Sequence, residues 1–347
     1  MKIDEVESYE EVIAYLNKKK GRQRHLLLGN GFSMAYDKDI FSYNALNSFI
    51  DQLDDDLLKK LFEVINTKNF EVVMQHLDNF IEIAKVFSTE DDLVERLTTA
   101  SETLKTSLID AVKTLHPEHV FEIPKAKSEK CADFLQGFLA NGGKVFTTNY
   151  DLLLYWVLMR NGVEDAVDGF GKEFEGYDLS TGEPEFAELC WGKRRDAQGV
   201  FYLHGALHLF DTGVEIVKEL YDSEHYLLTK IKERIDKKDY PIFVTAGNGH
   251  EKMTHVTHNK YLQHGFDTFA SIEGSLIVFG FGFGDSDSHI IDAINKSAKH
   301  GQKTDDRLWS VYIGVNSQSS LDRIREIESK FQCKVNYYDA RTVGVWG

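Results

Sequence analysis

Four short stretches of the sequence gather groups that can do chemistry. The first is Gly29-Asn30-Gly31-Phe32-Ser33, within "RHLLLGNGFSMAYD", where three leucines run into a glycine turn. Gly29 and Gly31 let the chain turn sharply with no side chain in the way. A helix starting near Phe32 or Ser33 would aim its N–H groups and the positive end of its dipole at an anion. Ser33 adds a hydroxyl donor. The second stretch, Thr147-Thr148-Asn149-Tyr150-Asp151, brings amide, hydroxyl and carboxylate groups together. The third, Leu203-His204-Gly205, offers an imidazole, the usual general base near neutral pH. The fourth is "GFGFGDSDSHI", residues 280–290. Gly280, Gly282 and Gly284 would let a ligand lie across the backbone, and Asp285 or Asp287 would accept sugar hydroxyls.

Each stretch also has a plain structural reading. The first fits any tight strand-to-helix turn. Asn149 or Asp151 fits a cap on a helix beginning near Leu152, and Asp285 and Asp287 fit caps on the helix that follows them. A lone histidine is more often a core or surface residue than a base. Known nucleotide patterns are excluded. Met34 occupies the third glycine position of GxGxxG, no acid-ended second strand follows about 20 residues on, and GxxxxGK[ST] is absent. Metal chemistry is disfavoured too. His204 and His208, or His250, His255 and His258, have no carboxylate in a ligand spacing, and "HEKMTH" is not HExxH.

The elements that must hold these groups are legible in the apolar pattern. Short apolar runs predict strands at 25–29, 144–147, 200–204, 241–245, 275–279 and 308–314, followed by "KVNYYD" at 334–339. Helical spacing appears at 6–19, through most of 42–115, in "LLLYWVLMR", in "SHIIDAINKSA" and from 319 to 330. Alternation of strands and helices predicts an α/β fold, a doubly wound parallel sheet of the Rossmann type. Residues 1–347 read as one domain carrying a helical insertion at 42–140. All four chemical stretches follow strands, so all fall at the carboxyl edge of the sheet, where ligands bind in such folds.

Composition narrows the classes further. The formal net charge of -16 repels phosphate backbones, so direct nucleic-acid binding is not expected. Cys131, Cys190 and Cys333 form no disulfide framework and no CxxC pair. The acidic N-terminus lacks a signal-peptide core and no run of about 18 apolar residues occurs. A cytoplasmic protein with no membrane partner is expected.

Taken in order, the stretches resemble the motifs of the sirtuin-like superfamily. Gly29 to Ser33 is similar to its GAGxS turn apart from Asn30, and Thr147 to Asp151 matches TQNID at the first, third and fifth positions. Leu203-His204-Gly205 matches the catalytic histidine before glycine, and residues 280–286 fill the place of its glycine-rich turn. The wording of that last turn resembles bacterial sirtuin-like domains still more. The resemblance spans about residues 24–315. Two departures set the chain apart from deacetylating sirtuins: the zinc module of paired CxxC motifs is missing, and "AYDKDIFSYNAL" stands where an arginine-containing segment would follow the first turn.

The resemblance implies a zinc-less NAD+ hydrolase of the kind found in anti-phage defence, which depletes cellular NAD. It places the pyrophosphate on Gly29, Asn30, Gly31, Phe32 and Ser33 and the adenosine end near Gly280, Gly282 and Asp285. Thr148 would share the dinucleotide contact, and Asp151 would hold the nicotinamide carboxamide. Asn149 would position ribose hydroxyls and a water, with His204 as general base. It also implies a homo-oligomer and control by assembly or by a partner ATPase. Two other classes remain open: a sensor that binds NAD or ADP-ribose without cleaving it, and a structural subunit of a complex with such an ATPase. Elemental analysis of the purified protein is expected to find no zinc stoichiometric with the chain; one zinc per chain would bring the histidines back as ligands.

Overall fold

The computed structural model describes residues 2–19, 21–38, 56–65, 70–87, 91–115, 117, 119–140, 142–177, 180, 182, 184–186, 188–220, 226–237, 239–244, 249–299 and 307–347. Its centre is a parallel sheet of seven strands. In chain order these are β1 (Glu7–Ser8), β2 (Arg24–Leu28), β3 (Val145–Thr147), β4 (Val200–Tyr202), β5 (Gly274–Phe279), β6 (Leu308–Val315) and β7 (Lys334–Asp339). They lie side by side in the order β1-β7-β6-β5-β2-β3-β4. From β2 the chain builds outward through β3 to β4, then returns to the other side of β2 and builds outward through β5, β6 and β7. The order therefore reverses between β2 and β5.

The central strands are apolar because both faces are covered, which is why they read as unbroken hydrophobic runs. Leu26, Leu27 and Leu28 are fully buried, with Leu26 in register with Val145 on one side and Ile277 on the other. Phe146 and Phe201, paired across β3 and β4, stack at 5.0 Å, and Phe269 packs on Phe146 at 4.8 Å. Polar caps close the flanking helices where the sequence supplies them. Ser8 and Glu11 form a capping box on Tyr9–Asn17, Asn259 caps Lys260–Phe269, and Ser317 caps Gln318–Ile327.

Three sequence expectations change. The segment 241–245 was expected in the parallel sheet; the strand Pro241–Phe243 instead belongs to a separate five-stranded antiparallel sheet. The chain does not stop at His204. It continues as the strand Gly205–Asp211, whose edge Pro241–Phe243 pairs antiparallel. Short strands at Phe170–Gly171, Cys190–Trp191 and Ile216–Lys218 complete that sheet. The expected helix at 6–19 is shorter, Tyr9–Asn17, because Glu7–Ser8 pairs with β7 instead. Within the expected helical insertion the helices Asp56–Ile65, Phe70–Phe87, Asp91–Leu115 and Lys125–Leu139 form, while its first part, 42–55, lies outside the described residues. Among the described residues no helix is long and apolar enough to cross a membrane.

Where the order reverses, two turns touch backbone to backbone. The Gly29 N–H donates to the Phe279 carbonyl (3.0 Å) and the Gly31 N–H to the Gly280 carbonyl (2.8 Å). A Cβ on Gly31 would lie 2.5 Å from the Gly280 Cα, and one on Gly280 would lie 2.6 Å from the Gly31 backbone. Gly280 also adopts φ +71°, which an L side chain resists. The bare first turn is thus demanded by another turn of the same chain. Gly282, by contrast, is exposed, and a Cβ there would meet nothing within 4 Å. Chemical denaturation should show Gly280→Ala destabilised by about 2 kcal/mol or more, and Gly282→Ala unchanged within about 0.5 kcal/mol.

Candidate functional site

The carboxyl ends of β2, β3, β4 and β5 bring the four stretches to one edge of the sheet. After β2 the chain enters the helix Asn30–Tyr36. Its start is held from behind by Trp346, whose indole N–H donates to the Phe32 carbonyl at 2.9 Å and whose ring lies 5.1 Å from Phe32. After β3 the Thr148 N–H continues the ladder to the Leu28 carbonyl (3.0 Å), so the second turn is built directly against the first.

Side chains lock those two turns together. The Asn149 Nδ2 donates to the Gly29 carbonyl (3.0 Å) and to the Ser33 Oγ (2.8 Å). The Ser33 hydroxyl donates in turn to the Asp151 carboxylate. The other Asp151 oxygen accepts the Leu153 N–H at 2.9 Å, at the start of the helix Leu153–Arg160. Capping therefore describes Asp151 in part, but not Asn149, whose amide ties β3 to β2. Ser33 is wholly enclosed, whereas Thr148, Asn149 and Asp151 each keep 8–9% of their surface exposed. Burial pushes the Asp151 carboxyl up to about 6, against the opposing hydrogen bonds from Ser33 and Leu153.

His204 occupies the two-residue connection between β4 and Gly205–Asp211. Gly205 is the only residue type that fits next to it: its φ is +77°, and a Cβ would lie 1.9 Å from the Ile242 carbonyl oxygen. The Leu203 N–H donates to the Thr147 carbonyl (2.8 Å), which keeps His204 beside the Asn149 turn. The His204 carbonyl accepts from the Val244 N–H at 2.9 Å, so the antiparallel sheet clamps it from the other side. The ring meets His289, with 2.9 Å between the two Nε2 atoms, and Phe266 flanks both. Burial, then His289 and the nearby Lys252, hold His204 well below the ordinary histidine range.

The last turn splits its expected roles. Asp285 is exposed at the start of a short 3-10 turn, Asp285–Asp287. Asp287 is the buried one: its Oδ2 accepts the Gly284 N–H (3.0 Å), and its Oδ1 accepts from Lys252 Nζ (2.9 Å). Gly29 and Gly31 have their N–H groups engaged by the β5 turn, and the Phe32 N–H donates to the Gly29 carbonyl (2.9 Å), which leaves the Asn30 N–H for an anion at the first turn. Sequence reading passed over His289, Lys252 and Trp346. His289 sits inside the quoted "GFGFGDSDSHI" and opens the helix Ser288–Lys299, but no local signal marks which way that helix faces. Lys252 and Trp346 carry no motif. Among the described residues no three His, Cys, Asp or Glu side chains converge as metal ligands. A surface hollow of about 600 Å³ bordered by Arg325, Phe331 and Lys334 lies at the amino end of β7, opposite this edge.

Fold and site together define an α/β protein with a polar cluster at the carboxyl edge of a parallel sheet. A family model described as a domain of unknown function, DUF4917, matches residues 26–346, and the chain belongs to that family. No curated protein matches it.

The buried rings set a pH dependence. Burial lowers His25 and His289 to about 4, and holds His204 and His208 well below the ordinary histidine range. These rings stay neutral in the fold but take protons in the unfolded chain below about pH 6.5. Their stabilisation is complete above that pH and is lost as pH falls toward 4, by about 2 kcal/mol at pH 5 for each of His25 and His289. Asp151, raised, acts oppositely and returns about 1 kcal/mol between pH 7 and 5. The histidines outweigh it. The melting temperature should fall by about 4 °C or more from pH 7.5 to 5; a flat or rising profile would contradict this balance.

Proposed function

We propose that this chain is an NAD+ glycohydrolase that splits the nicotinamide–ribose bond to give nicotinamide and ADP-ribose. The observation that carries the reading is where the strand order reverses. The order β4-β3-β2-β5-β6-β7 is that of a doubly wound dinucleotide fold, whose ligand crevice lies outside the carboxyl ends at the reversal. Gly29 to Ser33, Thr147 to Asp151, His204 and the turn from Gly280 all sit there. The sequence resemblance to zinc-less sirtuin-like NAD+ hydrolases supports the same assignment.

The geometry of this chain's own groups supports the roles that the resemblance implies. The open turn at Gly282 and the exposed Asp285 suit an adenosine ribose. The first turn, with Asn30 between Gly29 and Gly31 and with Phe32 and Ser33 buried behind it, suits the pyrophosphate side. Asn149, held by its Nδ2, leaves its Oδ1 as the acceptor for a ribose hydroxyl or water. Asp151, held by Ser33 and Leu153, is fixed in place to accept from the nicotinamide carboxamide. Positive charge develops on the ribose as the bond breaks, the problem glycosidases solve with a nearby base and a positioned water. His204 is neutral and so able to take the proton of that water or of a ribose hydroxyl. An activity that depletes NAD suits a defence effector in the cytoplasm, restrained by self-assembly or a partner ATPase.

The test is nicotinamide release from NAD+ by the wild type and by His204→Ala, with NAD+ binding followed by calorimetry. The wild type should release nicotinamide, and the variant should bind NAD+ but lose about 10²–10⁴-fold in rate. A wild type that binds NAD+ and never cleaves it, alone or assembled, would support the sensor reading instead.

A further inference from the structure

We infer that His289 is a positioning residue that holds the His204 proton on Nε2 and so leaves Nδ1 as the basic nitrogen. The role rests on the glycohydrolase reading, but the geometry beneath it does not.

The two rings come from different parts of the chain. His204 leaves the end of β4, and His289 opens the helix Ser288–Lys299 just after the glycine-rich turn. Their planes are 21° apart with centroids 5.1 Å apart, and the Nε2 atoms are 2.9 Å apart. Both side chains are buried. A contact of that length between two imidazole nitrogens needs one proton. Two lone pairs would repel, and two N–H groups would leave neither an acceptor. One ring therefore donates from Nε2 and the other accepts there, and the proton on each remaining nitrogen is fixed as a consequence.

Two arrangements satisfy this. In the first, His204 donates from Nε2, and His289 carries its own proton on Nδ1. In the second, His289 donates, its Nδ1 is a bare lone pair, and the His204 proton moves to Nδ1. The surroundings of the His289 Nδ1 choose between them. That nitrogen is buried and has no hydrogen-bond partner among the described residues. The Ser286 main chain favours the protonated ring, as a carbonyl facing it does and an N–H does not, and with Nε2 taken up by His204 the nitrogen left to face it is Nδ1. An N–H facing a carbonyl is attracted, whereas a lone pair facing it is repelled. The first arrangement is selected. It resembles the way a buried acceptor orients a catalytic histidine in other hydrolases, with an imidazole in place of the carboxylate.

The consequence for His204 is direct. Its Nδ1 makes no hydrogen bond among the described residues and keeps its lone pair. When a substrate or water O–H gives its proton to Nδ1, the oxygen keeps the bonding electrons, and the Nε2–H bond to His289 becomes charge-assisted. No proton leaves His289. The charged groups facing the pair are Lys252 and Asp287, and they are bonded to each other at 2.9 Å. Asp287 thereby offsets the lysine charge that would oppose a transient imidazolium.

The experiment has two arms on the full chain. Long-range ¹H–¹⁵N spectra of histidine-labelled protein, with the His204 signals assigned by their loss in His204→Ala, read the tautomer. The expected wild-type pattern is Nε2–H, becoming mixed or reversed in His289→Leu; a wild-type Nδ1–H pattern would overturn the inference without touching the glycohydrolase reading. In the second arm, His289→Leu should lower kcat at least tenfold with KM little changed and alter the basic-group limb of the pH–rate profile. His289→Gln, whose amide oxygen can accept the same N–H, should recover most of the rate. Full activity in His289→Leu would sink the role of His289, and absence of nicotinamide release by the wild type would sink the underlying function.

Discussion

The structure depends on the backbone contact between Gly31 and Gly280 at the centre of the parallel sheet. Strands β2 and β5 are neighbours that the chain reaches from opposite directions, with most of the sequence lying between them. Their carboxyl ends can be brought together only if the turns that follow carry no side chains at the meeting point. The hydrogen bonds from Gly29 and Gly31 to Phe279 and Gly280 fix that meeting. They also decide where everything polar goes. The Asn149 amide reaches the Gly29 carbonyl only because the first turn is held in this position.

Closing that edge so tightly has an electrostatic consequence. Ser33, Asn149, Asp151, His204, His289, Lys252 and Asp287 are all largely removed from water. Each must find a partner or give up its charge. Ser33 and Asn149 satisfy one another and Asp151, and Lys252 satisfies Asp287. The two histidines resolve the problem by remaining neutral and sharing one proton. The same desolvation that makes them sensitive to acid gives His204 the neutral form a general base requires. Acid sensitivity and the neutral state that the proposed base role needs thus share one cause, the burial of the strand ends.

Much of this was legible in the sequence, for identifiable reasons. The central strands announce themselves because both their faces are covered, and Leu26 to Leu28 and Leu276 to Phe279 are apolar without interruption. The position of His204 was legible because Gly205 follows it at a point where only glycine fits. The antiparallel sheet was not legible. Its strands at Phe170–Gly171, Cys190–Trp191 and Ile216–Lys218 are two or three residues long, too short for an alternation pattern. "VFYLHGALHLF" conceals a change of sheet at His204-Gly205 behind a continuous apolar run. For the same reason Pro241–Phe243 looked like one more parallel strand. Asn149 read as a cap because its true partners, Gly29 and Ser33, are more than a hundred residues away. His289 read as an ordinary residue of the helical "SHIIDAINKSA", since nothing local reveals that the helix faces β4.

The central claim is that the carboxyl edge between β2, β3, β4 and β5 is the place where NAD+ is held. Its most direct test is a crystal structure of the protein with an NAD+ analogue whose nicotinamide–ribose linkage cannot be hydrolysed. The account predicts the dinucleotide lying across the Gly29–Ser33 and Gly280–Asp285 turns, with a ribose hydroxyl or water within hydrogen-bond distance of the His204 Nδ1. An analogue bound elsewhere on the molecule, or one whose nicotinamide ribose lies away from His204 and Asn149, would contradict it.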